Sequence, residues 1–205
     1  MSDISSQLVR ELRDKTNAGM MDCKRALTEA GGDLAKAEDL LRAKGIASAG
    51  KKASRSAKEG IVASYIHLQG KVGVLVEVNC ETDFVAKNEN FREFVKDITL
   101  HIAAANPTCV SREQVDSSEI ERERAIYRQQ VEGKPANIVE KIVEGKVDKF
   151  YGTICLMEQP FIKNPDVSIA DLVKSKISEL GENIVIRRFT RYMVGEGVTD
   201  EPAAE

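Results

Sequence analysis

Val72-Gly-Val-Leu-Val-Glu-Val-Asn-Cys-Glu-Thr-Asp-Phe-Val-Ala-Lys-Asn88 is the stretch that decides the fold of this chain. Its first seven residues are rich in β-branched side chains and alternate as a buried strand does. Beyond it, Phe91, Phe94, Val95, Ile98, His101, Ile102 and Ala105 fall on one helical face, and Asn106-Pro107 ends that helix. Between strand and helix, where turn residues are expected, a carboxylate and an aromatic ring stand side by side at Asp83 and Phe84. A large apolar side chain at a loop tip loses rotamer freedom and stays wet unless something covers it. Local pattern alone makes Asp83 the cap of the next helix and Phe84 a hydrophobic staple folded back onto it.

Period-two alternation continues upstream. Ile61 to Leu68 and Lys71 to Val78 flank Gln69-Gly70, a two-residue hairpin turn. Downstream, Ser118-x-x-Glu121 reads as a capping box, and Pro135 opens a further helix whose inner stripe is Ile138, Val139, Ile142, Val143, Val147 and Phe150. Ile169 to Leu180 is amphipathic with Gly181 closing it, and Asn183 to Val194 alternates as a last strand. Three short helices precede all of this. The first carries Ile4, Leu8, Val9 and Leu12 and ends at Thr16-Asn17-Ala18-Gly19. The second runs from Met21 to Ala30, and the third follows an Asp33 cap and stops at Gly45. The pattern predicts an α+β protein: a small three-helix bundle of the ubiquitin-associated type, then a core of about three antiparallel strands with helices over one face. Expected boundaries are a helical module over 1–45, a small, basic linker over 46–58, the core over 59–197 and a short acidic tail over 198–205.

Composition excludes several classes. With 42% hydrophobic and 31% charged residues the chain reads as an ordinary globular protein. Thirty Lys and Arg against 33 Asp and Glu leave a net charge of -3, with no cation excess to release counterions from a nucleic acid. No apolar run nears the roughly 18 residues needed to span a bilayer, and Met-Ser-Asp-Ile-Ser-Ser is no secretory signal, so a cytoplasmic protein is expected. Cys23, Cys80, Cys109 and Cys155 lie apart without a Cys-x-x-Cys pair, so zinc and redox sites lack their spacing and free thiols are expected. Phosphate-loop, nucleophile-elbow and His-Glu-x-x-His patterns are absent, and His67 and His101 have no nucleophile placed beside them in sequence. The chain is expected to be no enzyme, with no cofactor and no metal.

The block Asn79-Cys-Glu-Thr-Asp-Phe-Val-Ala-Lys-Asn88 resembles the signature of the bacterial elongation factor Ts family. Leu8 to Arg13 with Thr16 to Leu27 resembles that family's N-terminal signature. Gly133-Lys-Pro135, Ile142-Val-Glu-Gly-Lys146, Glu158-Gln-Pro-Phe161 and Gly181-Glu-Asn-Ile-Val-Ile-Arg-Arg-Phe189 resemble its later segments, in family order from residue 4 to about 197. The resemblance implies a guanine-nucleotide exchange factor for elongation factor Tu bound to GDP. It assigns Thr82, Asp83, Phe84 and Val85 to the segment that disturbs the Mg²⁺ and phosphate surroundings of that GTPase. It assigns Arg13, Met20 and Met21 to docking on the GTPase domain, and His101 to contact with a second domain of the partner.

Longer relatives carry a second copy of the core and a helical-hairpin insertion, so this chain resembles the short form. One sheet of about three strands leaves edges and a face uncovered, and a homodimer is expected to supply the missing half. Arg187, Arg188 and Arg191 are expected to keep the outer face of the last strand wet. Thr190 stands where some short relatives have a cysteine, so a dimer here is non-covalent at that point. Two other classes compete. A ubiquitin-associated-like adaptor leaves the Asp83-Phe84 pair unexplained, and an RNA-binding module using 46–58 lacks stacking aromatics.

Overall fold

The computed structural model describes residues 4–16, 18–131, 133 and 135–197. Asn17, Lys134 and the tail 198–205 lie outside them. Along the chain come α1 (Ser6–Thr16), α2 (Met20–Glu29), α3 (Leu34–Lys52), β1 (Glu59–His67), β2 (Val72–Cys80), α4 (Asp83–Lys87) and α5 (Glu89–Ala105). They are followed by α6 (Ser117–Gln130), α7 (Ala136–Ile154), β3 (Pro160–Phe161), β4 (Asn164–Ser168), α8 (Ile169–Leu180) and β5 (Val185–Met193). The α+β class is as the sequence predicts. Two compact units divide the chain: one holds the residues up to Ile61 with Val78–Phe94 and Val167–Val185, the other Val62–Glu77, Val95–Asp166 and the residues from Ile186 onward.

In the first unit, α1, α2 and α3 close around Val9, Leu12, Cys23, Ala26, Leu27 and Ala37. Asp33 caps α3 as expected, its carboxylate accepting from the Lys36 N–H at 3.1 Å. The other end of α3 differs from expectation. Gly45 does not stop the helix, which continues to Lys52 and packs along α8. A Cβ at position 45 would stand 2.8 Å from the Ser178 Oγ, so this glycine serves a close helix approach rather than a helix end. Alanine and lysine in the following turns favour the helix, and Ala49 is buried. The stretch expected as a linker from residue 46 is therefore helical as far as Lys52. Helix α8 begins on the Ser168 hydroxyl and ends at Gly181 with φ 79°, as its sequence requires.

The sheet has the order β1-β2-β5 and is antiparallel. Val72, Val74, Val76, Val78 and Cys80 are buried on its inner side, while Leu75 is exposed on the other. The hairpin turn is wider than Gln69-Gly70. Leu68 (φ 50°), Gln69 (φ 55°) and Gly70 (φ 92°) all take left-handed backbone, and the Lys71 N–H donates to the Leu68 carbonyl at 3.2 Å. The outer face carries Val62, Ile66, Leu75 and Tyr192, all exposed, and a 2.7 Å pair of Arg188 with Glu77. Arg191 does not keep this face wet, because it turns inward to donate to the Ala103 carbonyl at 3.3 Å. The face is more apolar than its arginines suggested.

The second unit also holds the antiparallel pair of α6 and α7, closed over Ile120, Val131, Val143 and Val147. Arg124 with Glu144 and Arg128 with Glu140 bridge its exposed side. Asp116, not Ser118, caps α6: its carboxylate accepts from the Ser118 N–H at 2.8 Å, two residues earlier than the expected capping box. All four cysteines are free. Cys109 and Cys155 nonetheless meet, with sulfurs 3.6 Å apart on paired backbone, because separation in sequence says nothing about separation across a chain reversal. Burial and the neighbouring Cys109 thiol push Cys155 up.

One residue anchors the register of the hairpin where it leaves the first unit. Gly60 has φ 143°, and a Cβ there would lie 2.2 Å from the Val78 carbonyl oxygen. Gly60→Ala combines a backbone conformation that costs about 1–3 kcal/mol with a clash against backbone. Its melting temperature is expected to fall by at least ~5 °C. Calorimetry showing an unchanged transition would contradict this register.

Candidate partner-binding site

Strand β2 ends at Cys80, and the chain turns through Glu81 and Thr82 into α4. Thr82, extended at φ -129° and ψ 157°, caps this short helix by accepting from the Val85 N–H at 3.4 Å. The expected cap, Asp83, is instead the first helical residue. Its carboxylate accepts from Lys87 at 2.7 Å, and that bond with the lysine's charge holds it below the usual carboxylate range.

Phe84 does not fold back as a staple. Ala86 is buried and Val85 half-buried, so the inner side of α4 is already occupied. At 3.6 residues per turn, Phe84 sits about 200° round the axis from Ala86. At 81% Phe84 is more exposed than any other large hydrophobic residue among those described. An exposed phenylalanine at the start of a capped turn is a presented side chain, lacking apolar cover of its own.

The segment is held from behind by Glu182, which sequence reasoning did not single out. One carboxylate oxygen accepts from the Glu81 and Thr82 N–H groups at 3.0 Å each, and the other accepts from the Thr82 hydroxyl at 2.6 Å. The bonding is reciprocal: Glu81 accepts from the Asn183 N–H at 2.6 Å, with Arg55 at 3.6 Å from the same oxygen. The buried Asn183 side chain donates to the Ala53 and Arg55 carbonyls at 3.3 and 2.8 Å. Next to it, burial chiefly, with the Glu182 charge adding, pushes the Cys80 thiol up to about 11. The only early signal for Glu182 was its place in a family-like block, since a hundred residues separate it from Thr82.

Arg13 on α1 and Met20 and Met21 on α2 are also exposed. Met21 is 69% and Met20 42% exposed, because Cys23, Ala26 and Leu27 supply the inner stripe of α2. Neither methionine is core, and both are the flexible, polarizable kind of side chain that suits a contact surface.

His101 is placed differently. It is 1% exposed on the inner side of α5. Its Nδ1 accepts from the Ile162 N–H at 3.3 Å, and its Nε2 stands 2.9 Å from the Gln159 Oε1. Gln159 in turn donates to the Thr153 carbonyl at 2.6 Å. This pattern puts the proton on Nε2 and keeps the ring neutral, and burial pushes its pKa down. His101 therefore ties α5 to residues 159–162 and offers no surface of its own.

Among the described residues no group of three or more His, Cys, Asp and Glu side chains is arranged to hold a metal ion, and no helix is long and apolar enough to cross a membrane. What the site offers is contact: a ring held out on a braced turn, a carboxylate beside it and two exposed methionines elsewhere on the same unit. These are features of a surface that another macromolecule could cover. Residues 47–196 match the family described as elongation factor TS. Elongation factor Ts of Alkaliphilus oremlandii is 60% identical over 198 residues, covering 96% of this chain and 91% of the relative. Those of Carboxydothermus hydrogenoformans and Geobacter sulfurreducens are 59% and 58% identical over 197 residues, each covering 95% of this chain and 91% of the relative. The chain belongs to the elongation factor Ts family.

The buried histidine has a measurable consequence. Its folded pKa lies below the ordinary 6.5, so as pH falls through about 6.5 the unfolded chain binds a proton that the folded chain refuses. The stabilisation is complete above that pH and is lost below it. Urea titrations at pH 7 and pH 5 should show wild type losing more stability than His101→Gln, by up to ~1.4 kcal/mol per pH unit. Equal losses would contradict a neutral, buried ring.

Proposed function

We propose that this chain, a translation elongation factor by family, promotes GDP release from elongation factor Tu in the cytoplasm. The observation that carries the proposal is the outward ring of Phe84, seated next to Asp83 on a turn braced by hydrogen bonds. A translational GTPase holds its nucleotide through a phosphate-cradling loop and Mg²⁺, and magnesium tolerates little distortion of its octahedral ligands. Phe84 enters as a wedge between helices of the GTPase domain. Asp83 exchanges its Lys87 bond for a polar contact in the partner, and Thr82 and Val85 carry the backbone that bears both. Nucleotide and factor then antagonise one another, each ~1.4 kcal/mol of coupling weakening the nucleotide about tenfold.

Arg13, Met20 and Met21, on the helical module 1–45, dock on the GTPase domain. His101 acts on the partner's second domain indirectly, through the segment 159–162 that it holds. A second copy of the chain covers the outer sheet face: Val62, Ile66, Leu75 and Tyr192 form one apolar surface, and a two-fold axis lets the same patch serve both copies.

The test is release of a fluorescent GDP from elongation factor Tu with substoichiometric amounts of the chain. Wild type should accelerate release and turn over. Phe84→Ala should slow it at least tenfold without loss of stability, against ~3–5 kcal/mol expected had the ring been buried. Asp83→Ala should slow it less. A Phe84→Ala variant as fast as wild type would end the wedge proposal. Light scattering of the isolated chain should give twice the 22.6 kDa of one chain, and Leu75→Asp should return it to one. A monomeric wild type would contradict the sheet-face dimer.

A further inference from the structure

We infer that Glu182 is the positioning residue of the exchange segment: through its two carboxylate oxygens it sets the turn that holds Asp83 and Phe84 outward. The inference rests on the exchange reading above and identifies what makes that segment ready to act.

A threonine cap contributes only modestly to stability, and a five-residue helix is marginal by itself. Here the cap is itself held, since the Thr82 hydroxyl accepts from Val85 while donating to Glu182. The same carboxylate takes the Glu81 and Thr82 amides, two donors that β2 no longer pairs once it ends at Cys80. A carboxylate at that point meets the positive end of α4 and forms charge-assisted bonds, stronger than neutral ones. The hydrogen bonds of Glu182 go to the Glu81 and Thr82 amides and the Thr82 hydroxyl, so it acts through Thr82 and the backbone. It is fixed in turn: Gly181, in the left-handed conformation, turns the chain out of α8, and Asn183 beside it is buried and bonded to the carbonyls of residues 53 and 55. Phe84 is 81% exposed, so its own packing restricts it little. Its direction depends on the turn beneath it.

Without Glu182 the turn samples other conformers, and the competent fraction of the segment falls. Docking through the rest of the surface survives, while insertion becomes rarer. The saturating rate of GDP release is then the quantity that drops, and the half-saturating concentration stays nearly constant.

The experiment measures both quantities for wild type, Glu182→Ala, Glu182→Gln, Phe84→Ala and the Glu182→Ala/Phe84→Ala pair. Glu182→Ala should lower the saturating rate about tenfold, the loss expected of one charge-assisted hydrogen bond, with half-saturation within about twofold. Glu182→Gln keeps an acceptor oxygen for the two amides and should regain most of the loss. Because Glu182 works through the ring, the double variant should be no slower than Phe84→Ala alone. Hydrogen exchange of the Thr82 amide in the free Glu182→Ala chain should rise at least tenfold. A wild-type chain that fails to accelerate release would sink the exchange reading and this inference with it. A wild type that works while Glu182→Ala matches it, or losses that multiply in the double variant, would sink this inference alone.

Discussion

Two glutamates from distant parts of the chain, Glu81 and Glu182, each accept a backbone N–H from the other's segment. That exchange is the constraint on which the presented turn depends. At its crossing β2 ends, α8 has just ended at Gly181, and the stretch after α3 is bonded through Asn183. Buried or half-buried backbone donors left over at strand and helix ends must find acceptors. Carboxylates meet that need with charge-assisted hydrogen bonds.

Under the exchange role proposed above, the bracing matters because Phe84 is in the wrong place for stability. An 81% exposed phenylalanine gains nothing from the hydrophobic effect in the free chain. Its benefit is deferred until a partner covers it, and ordering a segment at that moment weakens binding. Bracing the turn beforehand confines that cost to folding. The same logic separates the two kinds of residue that resemblance alone grouped together. Thr82 to Val85, Arg13, Met20 and Met21 lie at or near the surface and can touch a partner. His101, at 1% exposure, can only hold other residues in place.

Much of the fold was legible because period and punctuation agree. The β2 alternation, the α5 stripe ended by Asn106-Pro107, the Asp33 cap and the α8 stop at Gly181 each combine a pattern with a terminator. Where one signal served two purposes, expectation and structure parted. Gly45 looked like a helix end and is a packing glycine against Ser178. Asp83 looked like a cap, yet Thr82 was better placed to be one. Arg191 looked like a wetting residue and points inward. The bracing glutamate was not legible, because a hydrogen bond across a hundred residues leaves no local trace. The meeting of Cys109 with Cys155 was hidden for the same reason.

The central claim is that Phe84 points away from its own chain and toward the GTPase domain of elongation factor Tu. Placing a photoreactive benzoyl-phenylalanine at position 84 and irradiating the nucleotide-free complex tests it most directly. The account predicts a cross-link to GTPase-domain helices beside the phosphate-binding loop, identified by mass spectrometry of the joined peptides. A cross-link confined to the chain's own residues, or to a different domain of the partner, would contradict it.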